Sequence, residues 1–480
     1  MTTHPPIEIR AGDLKPVITG LAKVIPTKGT LPALRCVKVE AINPKTVQLT
    51  ATDLDVTLRI EIPGATPQKT EPFLLPLDAL RDRVKGHKAG DLICLGPIAK
   101  AIPAKEFPAT PEFRATPISL QNEVATSLLR AFGSASQDPT RHVLRGAYLD
   151  TSGTGPKSHR IVATDGRQLF SSNSLHLPKI KEPVILPDHK LWQWKPITSS
   201  RPWTLRIGAA KSGITPFRIE GPFWSITGKC LEGNYPNYRQ VIPPASDFKT
   251  VVDIPEEVSA AITGLIPKLP GRKLDNRPVG IRVDNGLVSL LAREANDEPW
   301  QLYPIGETSV KGPSFTTFAK RDYVERAFRF GLHQLKVSDE TTPLQFSRKG
   351  DLMIVMPVRV TDADKMKALN GAKPLVHNQT RQSDPPKRSQ PRSKSSAPSK
   401  KKVPTRKPAT KRKPTSDPLN EAETRIAEAN QALRSAGREL KSATGSLKKV
   451  RKRRSEDQEE LSGFRSLLQS IKQFGKHSSN

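Results

Sequence analysis

The most constraining feature of this 480-residue chain is a short turn that occurs twice in the same setting. Ala-Thr-Asp occupies residues 51–53, in LTATDLDVTL, and residues 163–165, in IVATDGRQLF. Around each copy the hydrophobic pattern predicts a helix, a strand, a turn, two strands and a second helix. Residues 254–332 follow the same plan without the tripeptide. Three units of roughly 115 residues indicate an internal repeat, and they predict an α+β fold in which each unit packs two helices on antiparallel sheets.

The repeat and a change in composition divide the chain into predicted segments. We place three repeated domains at residues 1–115, 116–247 and 248–361. Residues 362–416 are rich in Pro, Ser, Lys and Arg and contain few large apolar side chains. Such a segment buries too little surface to offset the entropy lost on ordering, so we predict a disordered basic linker.

A seven-residue hydrophobic period begins beyond the linker, after Pro418. An Ala or Val follows each member of the period by three residues, which gives the a/d spacing of a coiled coil. We therefore predict a coiled-coil helix or helical hairpin over residues 417–475. A single amphipathic helix that lies on another surface is the alternative. The members of the period are Leu419, Ile426, Leu433, Leu440 and Leu447.

Positive charge is the strongest signal in the composition. The chain has a formal charge of +30, and residues 361–480 hold 29 Lys and Arg against 12 Asp and Glu, about +17 of that total. This excess predicts a polyanionic partner, with nucleic acid ahead of an acidic membrane surface. We expect the tail to supply most of the salt-sensitive, sequence-independent affinity for DNA.

Several classes of protein are excluded by what the sequence lacks. It has no apolar run near the 20 residues of a membrane span, and MTTHPPIEIR has no secretory signal pattern. Cys36, Cys94 and Cys230 form no CxxC pair, which fits a reducing cytosol. There is no phosphate-binding loop and no zinc-ligand spacing, so neither a metal nor another cofactor is expected. Asp53 and Asp165 lie in separate domains, so we expect no shared acid–base role and no enzyme activity.

Six motifs give the chain a resemblance to a known family. They are TLPALRCVKVEA, TATDLDVTLRIEIPG, LRGAYLD, IVATDGRQLF, LEGNYPNYRQVIP and LMIVMPVRV. In this order and spacing the chain resembles the bacterial sliding clamp, the beta subunit of DNA polymerase III, over residues 7–361. The resemblance implies three similar domains in each chain and a head-to-tail homodimer that forms a ring around duplex DNA. The turn would then recur because the domains are copies of one another.

The resemblance also implies that basic residues contact DNA phosphates without reading the sequence. Lys28 precedes the TLP motif, where the family places such a residue, while Arg141 and His142 lie on a loop that the family uses near DNA. The family often has aromatic residues on that loop, so stacking on a base is not expected here. The further candidates lie on the predicted helices and are Arg81, Arg83, Lys85, Arg130, Lys190, Lys195, Arg321 and Arg326.

A partner cleft between the second and third domains is the other implied site. In the family it binds short peptides of the DNA polymerase III catalytic subunit, the clamp loader and other clamp-motif proteins, whose Leu and Phe enter an apolar pocket. The chain departs from the family at Arg167-Gln168, at Gln240 and at Val358, which points to an altered range of partners. The matching positions are Leu144, Thr164, Gly166, Arg167, Gln168, Leu169, Pro236, Gln240, Val241, Ile354, Val355, Met356, Pro357, Val358, Arg359 and Val360.

Two functional hypotheses follow. The first is a working clamp with an added tail, located in the cytoplasm with the nucleoid. The second is a clamp-derived DNA-binding scaffold that is not loaded as a ring and acts through its basic tail. A third idea places the tail peptide QSIKQF in the chain's own cleft, but this peptide lacks a Leu-Phe ending.

Overall fold

A computed structural model describes residues 7–27, 31–65, 71–98, 102–155, 157–177, 180–360 and 373–374. All of them fall in one compact unit that spans Met1–Thr380. Lys28, most of the predicted linker and the predicted helix at 417–475 lie outside the described residues. In the described part, no helix is long and apolar enough to cross a membrane.

The first domain begins with a strand that leads directly into an amphipathic helix. Its elements are β1 (Ile7–Arg10), α1 (Ala11–Val24), β2 (Cys36–Asn43), β3 (Thr46–Thr52), β4 (Val56–Pro63), β5 (Phe73–Pro76), α2 (Leu77–Val84) and β6 (Leu92–Leu95). Leu14 and Leu21 lie on the buried face of α1, at helical spacing. Asp13 in its first turn and Lys23 in its last turn match the sign of the helix dipole.

The second domain repeats this order with a shorter second helix. Its elements are β7 (Ile118–Leu120), α3 (Asn122–Ser134), β8 (Gly146–Asp150), β9 (His159–Thr164), β10 (Gln168–Leu175), β11 (Val184–Pro187), α4 (Lys195–Ser199), β12 (Trp203–Ile207), β13 (Pro216–Glu220) and β14 (Trp224–Lys229). The predicted second helix is split into a 3-10 turn at Lys190–Gln193 and α4. Pro196 lies in the first turn of α4, where a missing amide hydrogen costs no helical hydrogen bond.

The third domain contains two helices and most of the remaining strands. Its elements are β15 (Thr250–Asp253), α5 (Glu256–Leu265), β16 (Pro278–Asp284), β17 (Leu287–Ala292), β18 (Gln301–Glu307), β19 (Ser309–Lys311), β20 (Phe315–Lys320), α6 (Arg321–Arg329), β21 (Gln334–Val337), β22 (Leu344–Arg348) and β23 (Asp351–Val355). The last described strand, β24 (Lys373–Pro374), lies within residues 362–416, the predicted disordered linker, and pairs with β18. Val324 and Phe328 bury one face of α6.

Two large sheets run across the predicted domain boundaries. An eight-stranded sheet has the order β5-β2-β3-β4-β14-β13-β12-β7, and β4 pairs with β14 at what we call the first junction. A nine-stranded sheet has the order β11-β8-β9-β10-β23-β22-β21-β15-β19, and β10 pairs with β23 at the second junction. A five-stranded sheet and the β1–β6 pair complete the set. The described strands are antiparallel except for the short β18–β24 pair, which confirms the predicted α+β class.

The apolar cores do not follow the three domains evenly. One continuous core extends from Ile7 in the first domain to Cys230 in the second. The third domain has its own core, from Val252 to Val355. The first junction is therefore enclosed within one core, whereas the second lies between two. The predicted domain boundaries and the ring stay predictions.

Candidate functional site

The repeated turn has the same hydrogen bonds in both copies. Asp53 Oδ1 accepts a hydrogen bond from the Val56 amide at 2.8 Å, and Asp165 Oδ1 accepts one from the Gln168 amide at 3.0 Å. The hydroxyl of Thr52 donates to the Val56 carbonyl at 3.0 Å, and the hydroxyl of Thr164 donates to the Gln168 carbonyl at 2.6 Å. Thr and Asp therefore close a tight loop between two paired strands in each domain.

The other carboxylate oxygen of each Asp contacts a side chain of the next domain along the chain. Asp53 Oδ2 lies 3.2 Å from Nε2 of His189 in the second domain. Asp165 Oδ2 accepts a hydrogen bond of 2.9 Å from the hydroxyl of Tyr323 on α6. Burial alone would raise the pKa of Asp53, but hydrogen bonds from His189 and the Val56 amide hold it below its ordinary value. Both carboxylates thus fasten one junction each.

An apolar cluster covers the face of the nine-stranded sheet that points away from the helices. It consists of Val162, Leu169, Tyr238 and Ile354, and we call it the cleft floor. Leu169 lies directly opposite Ile354 in the β10–β23 register. Because side chains alternate along a strand, the chain neighbours of these residues point toward the helix-covered core.

The segment of residues 233–247 crosses the cleft floor and is fixed by one carboxylate. The Tyr238 hydroxyl donates to Asp150 Oδ2 at 2.6 Å, and Arg239 Nη2 donates to the same oxygen at 2.7 Å. Burial alone would raise the pKa of Asp150, but the hydrogen bonds donated to it hold the pKa below its ordinary value. Burial raises the pKa of Tyr238 to about 12, so its hydroxyl remains a donor.

Exposed apolar side chains lie beside the floor. Val241 is 50% exposed and Met356 is 42% exposed. The Met356 amide donates to the Arg167 carbonyl at 2.9 Å, which joins the end of β23 to the repeated turn. The Arg167 guanidinium contacts Asn276 Oδ1 at 3.1 Å. A flexible thioether next to an apolar surface is suited to partners with apolar side chains.

The other predicted cleft residues separate by burial and by face. The half-buried ones are Leu144, Thr164, Pro357, Val358 and Val360, and the exposed ones are Gly166, Pro236, Gln240 and Arg359. Gln168 and Val355 are buried and lie opposite each other in register, on the helix side of the sheet. Their side chains therefore do not line the floor. The predicted set of cleft residues includes both faces of β10 and β23, whereas only one face forms the floor.

Three predicted DNA-contacting arginines are engaged with protein groups near the second junction. Arg130 Nη1 donates to Asp351 Oδ2 at 2.5 Å, and Arg326 Nη1 donates to Gln168 Oε1 at 2.7 Å. Arg321 is 3% exposed and donates to backbone carbonyls of the loop before β16. Enclosure by protein argues against a phosphate contact by Arg321.

The remaining predicted DNA-contacting residues are more accessible. Arg83 is half-buried and donates to the Cys94 carbonyl at 3.1 Å, while Arg141 donates to the Asp165 carbonyl at 2.7 Å. Lys28 lies outside the described residues. The exposed members are Arg81, Lys85, Arg141, His142, Lys190 and Lys195.

Sequence reasoning did not select the tyrosines that build the cleft. Tyr148 and Tyr235 stack at the edge of the floor with ring centroids 4.6 Å apart, and Tyr238 completes the floor. Two of them belong to LEGNYPNYRQVIP, so aromatic residues within that motif were the available signal. Tyr323 has no comparable signal, because its contact with Asp165 joins residues far apart in the chain.

The described residues contain no group of three or more His, Cys, Asp or Glu side chains placed to hold a metal ion. The site consists instead of an apolar cleft on one face of a sheet and basic helices on the other. Continuous sheets that join three repeated units, with helices packed on one face, define the sliding-clamp class of fold.

Comparison with known proteins points to one branch of that class. No family model matches the chain. It is 28% identical over 302 residues to the beta sliding clamp of Pseudomonas aeruginosa, across 58% of this chain and 78% of that relative. It is 23% identical over 377 residues to the beta sliding clamp of Synechococcus elongatus, across 73% of this chain and 98% of that relative.

A solved structure shows the same fold. The sliding clamp (DNA polymerase III subunit beta) of Bartonella birtlesii matches with a TM-score of 0.61 and 21% identity, covering 74% of this chain and 100% of that chain. The described residues therefore have the fold of a bacterial beta sliding clamp, and the predicted resemblance is confirmed.

Proposed function

We propose that the chain is a DNA sliding clamp, a non-catalytic processivity factor that forms a head-to-tail homodimeric ring around duplex DNA. The observation that supports this most is the pair of sheets that each continue through one junction, with helices packed on one face and, at the second junction, the cleft floor on the other. A sheet that continues between domains keeps their helices on a common side. A ring needs such an arrangement to present helices to DNA without reading its bases.

We assign phosphate contacts to the accessible basic residues on or beside these helices. They face a duplex that carries one negative charge per roughly 1.7 Å of its axis, so contacts of this kind are sequence-independent and salt-sensitive. Arg321 is left out because its guanidinium is buried. The assigned residues are Arg81, Lys85, Arg141, Lys190 and Lys195.

We assign the cleft to partner proteins of replication. Its floor and the exposed Val241 and Met356 form a surface that accepts Leu and Phe side chains of a short peptide. The partners proposed from the resemblance are the DNA polymerase III catalytic subunit, the clamp loader and other proteins with the same peptide motif. The proposed location is the cytoplasm, in association with the nucleoid.

Retention on DNA of two shapes tests the proposal. The protein is loaded by a competent clamp loader onto nicked circular DNA, washed at high salt, and the circle is then cut. Salt weakens phosphate contacts steeply, whereas a closed ring is held by topology. We expect retention on the circle and loss after cutting. Equal loss from both shapes during the wash would contradict a ring and favour a scaffold that binds through its basic tail.

A further inference from the structure

We propose that the second junction is a conformational joint that couples occupancy of the cleft to the positions of α3 and α6. This inference rests on the proposed function, because it takes the cleft as the partner site. Coupling of two sites requires an element that contacts both and has more than one arrangement. The turn at Asp165–Arg167 meets the first condition, since it contacts the cleft on one side of the sheet and the helices on the other, and its second arrangement is part of the proposal.

On the cleft side, the turn is hydrogen-bonded to Met356, an exposed residue beside the floor. The Arg167 carbonyl accepts the amide of Met356 at 2.9 Å. The Asp165 carbonyl accepts from Arg141 Nη1 at 2.7 Å. Gly166 has φ +87°, and a β-carbon at this position would lie 2.5 Å from the same guanidinium nitrogen. The turn is thus hydrogen-bonded to both Met356 and Arg141, and a partner that displaces Met356 is expected to displace the turn.

On the helix side, Asp165 of the turn and Gln168, the first residue of β10, hold both helices. Asp165 Oδ2 accepts from Tyr323 at 2.9 Å, and Gln168 Oε1 accepts from Arg326 at 2.7 Å, so α6 is held twice. Gln168 Nε2 donates to the Ser134 carbonyl at 3.3 Å, at the end of α3. Burial and the Asp165 carboxylate raise the pKa of Tyr323, so its hydroxyl stays protonated at neutral pH.

The helix side of the junction has an apolar part, with Phe170 opposite Met353, and a polar part that is flanked by space. Asp351 accepts from Arg130 and from Ser172, both at 2.5 Å, and Ser172 contacts Ser127 at 2.8 Å. A cavity of about 710 Å³ lies beside this group, and another of about 500 Å³ lies beside Asp165. Polar contacts exchange partners more readily than interlocked apolar side chains do. The joint therefore has both the contacts and the room to rearrange.

The first junction is more tightly packed on its helix side. The Trp194 ring packs against Gly20 of α1, where a β-carbon would lie 2.5 Å from the indole. Its Nε1 donates to the Pro16 carbonyl at 3.0 Å. This junction lies within the core shared by the first two domains. Movement between helices is therefore expected at the second junction and not at the first.

The test changes the joint without touching the cleft. Tyr323→Phe removes only the hydroxyl bonded to Asp165, and Tyr303→Phe is the matched control, since that hydroxyl contacts Gln301 elsewhere in the third domain. The probe is a fluorescent decapeptide whose only large apolar residues are a terminal Leu-Phe pair. We expect its Kd for the full chain to rise about fivefold in Tyr323→Phe and to stay unchanged in the control, because the loosened turn no longer holds Met356 in place.

Hydrogen exchange supplies the second readout. Saturating the wild-type chain with peptide is expected to change amide exchange in α6, with α5 as the internal reference, and Tyr323→Phe is expected to abolish that change. If Tyr323→Phe does not fold, Arg326→Gln replaces it. An unchanged Kd together with unchanged α6 exchange would overturn the coupling while leaving the cleft intact. A wild-type chain that does not bind the peptide would overturn the cleft itself and the coupling with it.

Discussion

At both junctions, the sheet face that points away from the helices has the same backbone arrangement, but the side chains on it differ. At the first junction, Thr57 lies directly opposite Thr227, and at the second, Leu169 lies directly opposite Ile354. Thr57 and Leu169 each stand four residues beyond the Asp of the repeated turn. The same register therefore presents hydroxyl groups at one junction and an apolar floor at the other.

The segments that cross these faces differ in the same way. At the first junction, Glu112 accepts hydrogen bonds from Arg59 at 3.1 Å and Arg218 at 3.3 Å. Arg218 Nε also donates to Thr227 Oγ1 at 3.0 Å. At the second junction, Tyr238 closes the apolar floor. The fold alone therefore does not create the apolar floor that we propose as a partner site. The difference between the two faces includes the side chains at one pair of facing positions.

The largest expected effect comes from giving the second junction the side chains of the first. Leu169→Thr with Ile354→Thr is expected to lower the free energy of unfolding by about 3 kcal/mol or more, because buried methyl groups are lost. Each new hydroxyl would also be buried without the partner that Arg218 supplies at the first junction. Urea denaturation measures the stability, and peptide anisotropy is expected to show weaker binding at the cleft.

Leu169→Met with Ile354→Val is the matched control. These changes keep the floor apolar and are expected to cost less than about 2 kcal/mol and to retain binding. A Thr variant as stable and as tightly bound to peptide as this control would show that the floor does not determine the difference between the junctions.

A smaller, pH-dependent effect is expected at the first junction. Asp53→Asn removes the charge that contacts His189 and is expected to lower the free energy of unfolding by about 2 kcal/mol at pH 7. The folded chain holds the pKa of Asp53 below its unfolded value of about 3.9. The contribution of the carboxylate is therefore fully present above that value and is lost as the pH falls through the lower folded pKa.

Unfolding of wild type and Asp53→Asn at pH 7 and near pH 3 measures this dependence. The difference in stability should shrink at the acidic pH. The exposed neighbour Asp55 provides the control, and Asp55→Asn is expected to have little effect at either pH. A difference between wild type and Asp53→Asn that grows on acidification would contradict the assignment of a stabilising ionised carboxylate.

The repeat and the local hydrophobic periods could be predicted from sequence. The α+β class, the buried face of α1 and the strands around each repeated turn follow from patterns within a few residues. The resemblance located the strands of the cleft, but it did not separate Leu169 from Gln168, whose side chains lie on opposite faces of β10. That distinction depends on the pairing of β10 with β23, which joins segments far apart in the chain.

Burial of charged residues was the least predictable property. A basic residue on a predicted helix is ordinarily exposed, and Arg321 is a predicted DNA contact because the resemblance implies that basic residues on the helices meet phosphates. In the structure it lies under the loop before β16, whose carbonyls accept hydrogen bonds from the two terminal nitrogens of its guanidinium. The bond between Arg326 and Gln168 likewise joins the third domain to the second. Neither contact can be predicted from local sequence, because each joins residues far apart in the chain.

The smallest effect is expected from the ion pairs over the first junction. Glu112→Gln removes one charge from a side chain that is 67% exposed, so solvent already screens its attraction to Arg59 and Arg218. We expect a loss below about 1 kcal/mol in the free energy of unfolding, and a smaller loss in 1 M salt. Urea denaturation at two salt concentrations measures it, with the exposed Glu106→Gln as the control. A loss near that of the Thr variant would mean that ion pairs fasten the first junction as strongly as the apolar floor fastens the second. A small loss would leave the packed core beneath the sheet as the element that holds the first junction together.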